Sequence, residues 1–168
     1  MTPIATPRLV LRHFEPRDLP DLFVMDGDDR VMRYIGTGMA GRTREQCAEA
    51  LPRILAKAVE RPGYGLLHAS RRDSGAFVGA GGLFPLPETA EVEIAYRLPF
   101  ACWGQGYATE IARAVLAHGF ATLGLARVVG LTFPENVPSQ RVLEKIGMRR
   151  EPDAEHYGRV MRVYAAAA

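Results

Sequence analysis

The sequence predicts an α/β fold in one domain over residues 1–168, and three observations carry this prediction. Segments of alternating apolar residues, which indicate strands, occur early and are separated by short turns. The clearest amphipathic helix lies between two strands of the second half, which indicates one late βαβ crossover. No internal repeat or low-complexity linker divides the chain, and its 48% hydrophobic content over 168 residues suits a single core.

The first half of the chain alternates strands with short helices. Pro16 and Pro20 suit the first turn of a helix, and Thr43 and Gln46 have the spacing of a capping box. Pro52 is expected to bend or split the helix that follows this box. In chain order we predict strand 8–14, a helix within 15–25, a short helix in 29–36, a helix over 43–58, and a hairpin of strands 64–70 and 76–84.

The second half contains the crossover. Strand 91–98 alternates, so that Glu91, Glu93 and Arg97 point to one face while Tyr96 and Leu98 point to the other. An apolar stripe at helical spacing follows it. The remaining predicted elements are helix 107–123, strand 127–133, a helix from Ser139 to Ile146 that Gly147 stops, and strand 159–165.

Composition excludes several classes of protein. The net charge of +2 comes without a Lys/Arg run, which argues against nucleic-acid binding. Cys47 and Cys102 have neither metal-ligand nor disulfide spacing, so we expect no metal and a reducing compartment. The N-terminus lacks the apolar region of a signal peptide, and charged residues interrupt the most apolar stretch, residues 111–133. We therefore expect a cytoplasmic protein without a membrane span.

A glycine-rich segment, "WGQGYATE" at residues 103–110, precedes the long helix. Free backbone N–H groups and the positive end of the macrodipole make a helix start suitable for anions. A dinucleotide motif would need a third glycine where Thr109 stands, and a Walker A loop would need Gly-Lys-Ser/Thr. The remaining interpretations are an ordinary tight turn and a loop whose amides, from Gln105 to Thr109, bind a phosphate.

A second constellation is "NVPSQRVLEKIG" at residues 136–147. Asn136 is a good N-cap, Pro138 suits the first turn, and Ser139 stands at the third helical position, so capping alone can explain them. Arg141 and Lys145 lie four residues apart on one helix face. That face is either solvated or able to meet an anion.

Glu93 is the third candidate, because a carboxylate is unusual on a central strand. One interpretation is an outer face or a salt bridge with Arg97. The functional interpretation is a general base in a cleft, with its pKa raised by partial burial.

Taken in order, these segments resemble the GNAT superfamily of acyl-CoA-dependent N-acyltransferases, and most closely its RimJ/RimL-like branch. The resemblance runs through "EVEIAYRLPFACWGQGYATEIARAVLAHGFATLGLARVVGLTFPENVPSQRVLEKIGM", and "TPRLVLRHFEPRDLPDL", "DRVMRYIG" and "GAFVGAGGL" also match. It covers the chain to about Arg150 and thins after Gly147. It implies a splayed, mostly antiparallel mixed sheet with helices on both faces, and acetyl-CoA as co-substrate.

The resemblance also implies residue roles. The glycine loop would hold the pyrophosphate of coenzyme A on its amides, the strand around Tyr96 would pair with the pantetheine arm, and Asn136 would hydrogen-bond that arm. Ser139 matches a position near the thioester sulfur, and Trp103 stands where the family usually has Arg or Gln. The implied cofactor-binding set is Tyr96, Arg97, Leu98, Trp103, Gly104, Gln105, Gly106, Tyr107, Ala108, Thr109, Asn136, Ser139 and Arg141.

These roles predict direct acetyl transfer to a primary amine, either a protein N-terminus or a small molecule. Glu93 would take the ammonium proton, directly or through water, while backbone amides stabilise the oxyanion and Ser139 donates to the leaving sulfur or only hydrogen-bonds it. The alternative is a non-catalytic acyl-CoA-binding or regulatory module on the same fold, and a dinucleotide-dependent oxidoreductase is a distant third. Homodimers are common among such folds.

Four further residues have assignments outside these two segments and Glu93. His156 either lines the acceptor mouth or lies on the surface, and Met32 and Tyr34 either border the acceptor pocket or pack in the core. Cys102 has no activating neighbour in sequence, so we interpret it as a packing residue.

Overall fold

A computed structural model of the protein describes residues 1–36, 38–87 and 89–168. Its strands in chain order are β1 (Ile4–Ala5), β2 (Leu9–His13), β3 (Gly65–Arg71), β4 (Phe77–Pro85), β5 (Val92–Arg97), β6 (Arg127–Thr132), β7 (Arg149–His156) and β8 (Arg159–Ala167). The helices are α1 (Leu19–Asp26), α2 (Asp29–Met32), α3 (Arg44–Glu60), α4 (Tyr107–Ala121) and α5 (Val137–Lys145). Single 3₁₀ turns occupy Pro16–Asp18 and Phe100–Cys102.

The strands form one sheet in the order β1-β2-β3-β4-β5-β6-β8-β7. Neighbouring strands are antiparallel except β5 and β6, which are parallel and are joined through α4. The predicted early hairpin and late βαβ crossover are both present. The predicted fold class, a mixed and mostly antiparallel sheet with helices, is confirmed.

The sheet opens between β5 and β6. The parallel ladder between these strands contains one register pair, Glu93 with Val129. Beyond that pair β5 continues to Arg97 bound only to β4, while β6 continues to Thr132 bound only to β8. The two strands therefore diverge, and a wedge with Glu93 at its apex exposes backbone groups of β5 that have no partner strand.

Helices cover both faces of the sheet. On one face α4 and α5 bury a large cluster that includes the fully buried Ile111 and Val115. Each such side chain contributes about 1.5–3 kcal/mol through burial. The approach is close, because a Cβ at Gly81 of β4 would lie 2.5 Å from Cγ2 of Ile111. On the other face α1 and α3 pack through a second cluster that contains Cys47.

Several predicted boundaries differ from the structure. The capping box of Thr43 and Gln46 is confirmed, but α3 continues through Pro52 as one helix instead of splitting there. Pro52 is exposed, so water can satisfy the carbonyl that loses its partner, while the buried Cys47 and Leu51 hold the helix on the sheet. The helix predicted over 29–36 ends at Met32. Strands β1 and β7 were not predicted.

Among the helices of the described ranges, none is both long enough and apolar enough to cross a membrane.

Candidate active site

The glycine turn of the predicted loop begins α4. Gly106 is the N-cap residue and has a φ of 79°, while Gly104 has a φ of 75°, so both adopt the left-handed conformation that favours glycine. No side chain of the described residues caps the helix here. The amides of the first turn of α4 therefore point outward without a side-chain acceptor, which is the arrangement that binds a phosphate.

The N-terminal segment supports this turn. Nη1 of Arg8 donates to the carbonyl of Gln105 at 3.0 Å, and its Nε donates to Glu110 at 2.6 Å. The hydroxyl of Thr6 also donates to Glu110, at 2.6 Å. These bonds hold the Glu110 carboxylate in place. Because the positive charge of Arg8 neutralises it, Glu110 does not repel an anion bound at the start of α4. Sequence reasoning missed Arg8, because 97 residues separate it from Gln105.

Space around the two glycines is available for a ligand. A Cβ at Gly104 would meet no atom within 4 Å, and one at Gly106 would meet only Arg8, with Nη2 at 3.4 Å. The positive φ values therefore explain the glycines better than crowding within the protein. The turn therefore leaves room for an anionic group in front of these amides.

Trp103 and Leu98 contact each other beside the turn. The indole N–H of Trp103 donates to the carbonyl of Leu98 at 2.9 Å, and the indole ring lies 5.1 Å from that of Phe100. Leu98 is buried in the main core. Its carbonyl is therefore already engaged at the end of β5, and the free backbone of the wedge lies before it.

Tyr96 and Ser139 meet on the α5 side of the wedge. The Tyr96 hydroxyl donates to the Ser139 carbonyl at 3.0 Å and lies 3.0 Å from the Ser139 Oγ. Burial raises the pKa of Tyr96 above its usual value, so the phenol stays neutral and can donate. The two hydroxyls form a short chain of donors beside the wedge.

Asn136, and not Ser139, caps α5. The Asn136 Oδ1 accepts the backbone N–H of Ser139 at 3.4 Å. The predicted cap is therefore present, and it leaves the Ser139 side chain to interact with Tyr96. Arg141 is exposed on the same helix and has no ion-pair partner within the described part of the chain.

Glu93 is a buried carboxylate at the apex of the wedge, with 8% of the residue exposed. Burial raises the pKa of Glu93, and a hydrogen bond from Tyr157 lowers it. Burial is the larger effect, so the pKa is about 7. The Tyr157 hydroxyl donates to Oε2 of Glu93 at 2.5 Å. A carboxyl group that titrates near neutral pH is suited to general acid–base chemistry.

Tyr157 reaches Glu93 from the turn between β7 and β8. Tyr157 has a φ of 55° and Gly158 a φ of 69°, which is the pattern of a tight hairpin turn. Tyr157 is the one non-glycine residue of the described ranges with positive φ, and such strain often accompanies function. Sequence reasoning missed Tyr157, and the only available signal was the Tyr-Gly pair beside His156.

The alternative environments for Glu93 are wrong. It is neither on an outer face nor paired with Arg97. Arg97 binds the fully buried Asp26 of α1, with Nε 2.7 Å from Oδ1. Its side chain is therefore directed to the α1 face of the sheet, and only its backbone borders the wedge.

The remaining candidates are less central. Met32 is fully buried, and the Tyr34 ring packs 5.7 Å from that of Phe133. His156 is half-buried beside the turn that carries Tyr157. Burial raises the pKa of the Cys102 thiol, which agrees with a packing role rather than a nucleophile.

Two features are typical of the GNAT class of acetyltransferase: a sheet whose two central strands diverge, and a glycine-containing turn that leads into the helix between them. A family model described as an acetyltransferase (GNAT) domain matches residues 8–149. The chain therefore belongs to the GNAT acetyltransferase family and is an N-acetyltransferase. The family membership predicted from the sequence is confirmed.

Individual relatives agree with this assignment. The protein named Uncharacterized N-acetyltransferase YnaD from Bacillus subtilis is 31% identical over 157 residues, which cover 88% of this chain and 83% of YnaD. A solved GNAT-family acetyltransferase from Bacillus anthracis has a TM-score of 0.82 at 28% identity, covering 99% of this chain and 98% of that one. Mycobacterium smegmatis RimJ in complex with CoA-disulfide shares the fold, with a TM-score of 0.79, 22% identity and coverage of 95% and 82%.

Proposed function

We propose that the protein transfers the acetyl group of acetyl-CoA directly to a primary amine, with Glu93 as general base. The observation that carries this proposal is the position of Glu93, a buried carboxyl group with a pKa of about 7 at the apex of the β5–β6 wedge. With this pKa the group is partly ionised near neutral pH, and its ionised form is a stronger base than an ordinary carboxylate. The acceptor is either a protein N-terminus or a small molecule.

Binding of the donor follows from the two ends of the wedge. The pyrophosphate would lie on the amides from Gln105 to Thr109, where Gly106 gives the backbone its left-handed turn. The pantetheine arm would run along the free backbone of β5, as a short additional strand pairs with an exposed edge. In this arrangement the thioester would lie near Glu93 on one side and Ser139 on the other.

The chemistry needs one proton acceptor and one hydrogen-bond donor. Ionised Glu93 takes one proton from the ammonium, and the neutral amine attacks the thioester carbonyl. The carbon–sulfur bond breaks as the amide forms, and the second proton of the nitrogen passes to the departing thiolate. The departing sulfur would accept a hydrogen bond from the Ser139 hydroxyl. That hydroxyl can in turn accept the Tyr96 proton when this proton turns away from the Ser139 carbonyl. A thiol pKa near roughly 8.5 means that the thiolate leaves with modest help, so alignment supplies much of the acceleration.

The test is the release of coenzyme A from acetyl-CoA with a panel of amines, followed across pH. We expect Glu93→Gln to lower turnover by at least about tenfold near pH 7 and to recover partly at high pH, where the amine is already neutral. Acetyl-CoA affinity should stay near that of the parent protein.

Glu91→Gln is the matched control. Glu91 points to the same face two residues earlier but pairs with Arg127 at 2.9 Å, away from the wedge. A Glu93→Gln profile that overlays the parent profile would remove Glu93 from the mechanism. Tight binding of acetyl-CoA without coenzyme A release, for every amine, would instead indicate the non-catalytic binding module.

A further inference from the structure

A cavity lies on the face of the sheet to which Glu93 points. It has a volume of about 710 Å³ and is bordered by α3, by the loop before α3 and by strands β3 to β5. Phe84, which lines it, is the direct cross-strand partner of Glu93. Arg97, which also lines it, shares the face of Glu93 because it lies four residues later on β5. We call this cavity the arginine cleft.

Two arginines of the arginine cleft are held by one buried carboxylate. Asp26 has no exposed surface, and it accepts from Arg97 at 2.7 and 3.1 Å and from Nη1 of Arg42 at 3.1 Å. Both arginines are themselves mostly buried, with 15% and 25% of their side chains exposed. Their guanidinium groups are therefore fixed before any ligand arrives.

The shared carboxylate leaves positive charge and hydrogen-bond donors unused. The negative charge of Asp26 balances the charge of one of the two arginines. Three guanidinium nitrogens have no protein acceptor in the described ranges: Nη1 of Arg97, and Nε and Nη2 of Arg42. Arg53 and Lys57 add two cations at the rim, against one carboxylate, Glu49, among the described residues that line the cleft. Counted over the described side chains with Asp26 included, four basic and two acidic groups give the arginine cleft a net charge of +2.

The floor of the arginine cleft is apolar. Leu66, Phe84 and Ile54 line it, so an occupant can bury a hydrocarbon group there while its charged end meets the arginines. Carboxylates suit guanidinium groups because the two planar groups form parallel hydrogen bonds. Cationic acceptors such as polyamines would be repelled.

We propose that Arg42 and Arg97 form a carboxylate subsite for the acceptor, which is therefore a small amine that also carries a carboxylate, as an amino acid does. This inference rests on the proposed function. Four residues of strand correspond to about 13 Å between the Cα atoms of Glu93 and Arg97. Glu93 is held by Tyr157 and Arg97 by Asp26, so an acceptor with its amine at Glu93 and its carboxylate at the arginines has to bridge the part of this gap that the two side chains leave.

The first test is binding, which does not depend on turnover. The probes are N-acetylated amino acids, and each is compared with the same compound carrying a carboxamide in place of the carboxylate. Both members of each pair are titrated calorimetrically, with and without coenzyme A. The amino acids are glycine, alanine, leucine, methionine, phenylalanine and tryptophan. We expect at least one carboxylate to bind about tenfold or more tighter than its carboxamide, because only the carboxylate forms charge-assisted bonds to the arginines. This comparison uses the unaltered protein and so does not depend on the folding of a variant.

Variants then locate the effect. Arg42→Gln should remove most of the carboxylate preference while Arg97 still balances Asp26, and Arg42→Lys should restore part of it. Arg44→Gln is the matched control, since Arg44 is an exposed cation on α3 outside the arginine cleft. Thermal melting of each variant confirms that it is folded.

The outcomes separate this inference from the proposed function. Equal binding of acids and carboxamides, absence of binding by every acid, or faster coenzyme A release with polyamines or peptide N-termini would overturn the carboxylate subsite. If the acids bind as expected but no amine releases coenzyme A, the proposed function fails while the subsite stands. If carboxamides are acetylated as fast as the acids, the function stands and the subsite fails.

Discussion

At the scale of single residues, two opposing effects determine the pKa of Glu93. Removal from water raises its pKa, whereas the hydrogen bond from Tyr157 stabilises its ionised form and lowers it. The pKa of about 7 lies well above the ordinary value of 4.5, so burial is the larger effect. Tyr157 thus restrains the shift and also fixes the direction of the carboxylate.

Replacement of Tyr157 should therefore move the pH dependence of turnover. Tyr157→Phe keeps the ring but removes the donor, so the pKa of Glu93 rises further and the acidic limb of the rate profile moves to higher pH. We expect a shift of about one pH unit, the size of one charge-assisted hydrogen bond. A pH–rate profile at saturating acetyl-CoA measures it.

The direction of the shift is decisive for this prediction. An unchanged limb, or one displaced toward lower pH, would show that Tyr157 does not stabilise the carboxylate. Tyr64→Phe serves as a control, because Tyr64 packs against the main core and lies outside the wedge.

At the scale of elements, the turn before α4 depends on the backbone more than on side chains. Gly106 has to adopt a φ of 79° for the chain to enter the helix. A side chain there would strain the backbone by about 1–2 kcal/mol and would occupy the space in front of the amides. Stability and ligand binding should therefore both respond to a change at this position.

Gly106→Val should weaken acetyl-CoA binding by at least about tenfold while the protein remains folded, as calorimetric titration can measure. Gly75→Val is the matched control. Gly75 has a φ of 73° and open space around its Cβ position, but it lies in the β3–β4 turn. Both variants should lose similar stability, and comparable acetyl-CoA affinity in the two would contradict the assignment of the turn.

The β7–β8 hairpin shows where sequence patterns were insufficient. β7 contains Pro152 and several charged residues, which indicate a loop, and its residues are mostly exposed. It forms a strand because it lies at the sheet edge, where proline is tolerated, and a register shift between Glu151 and Ala154 accommodates that proline. Because β7 was missed, the turn that carries Tyr157 was missed with it.

At the scale of the whole molecule, local signals predicted the elements and distant contacts decided the site. The glycine turn, the Asn136 cap and the candidate Glu93 were all available from short segments. The bonds of Tyr157 to Glu93 and of Arg97 to Asp26 join residues 64 and 71 positions apart, and no local periodicity encodes them. The divergence of β5 from β6 likewise depends on how the two halves of the sheet pack.

The buried carboxyl of Glu93 should also affect the stability of the whole fold. Its pKa is about 7 in the folded protein and about 4.5 in an exposed setting, so between these values the folded state binds more protons than the unfolded state. The stability contributed by this group is complete below pH 4.5 and is lost as pH rises through 7. Ionised Glu93 at pH 8 is thus a cost to folding.

Glu93→Gln removes that cost, because glutamine keeps an acceptor for Tyr157 but does not ionise. The variant and the parent should have similar free energies of unfolding near pH 4.5, and the variant should gain as pH rises. By pH 8 the gain should be no more than about 3 kcal/mol, since each pKa unit corresponds to about 1.4 kcal/mol. Urea denaturation at pH 5 and pH 8 measures the difference, with Glu91→Gln as a control that removes a half-exposed carboxylate from the same strand end. A Glu93→Gln variant equally destabilised at both pH values would mean that the carboxylate is held by favourable contacts in its ionised form, and that its burial does not poise it as a base.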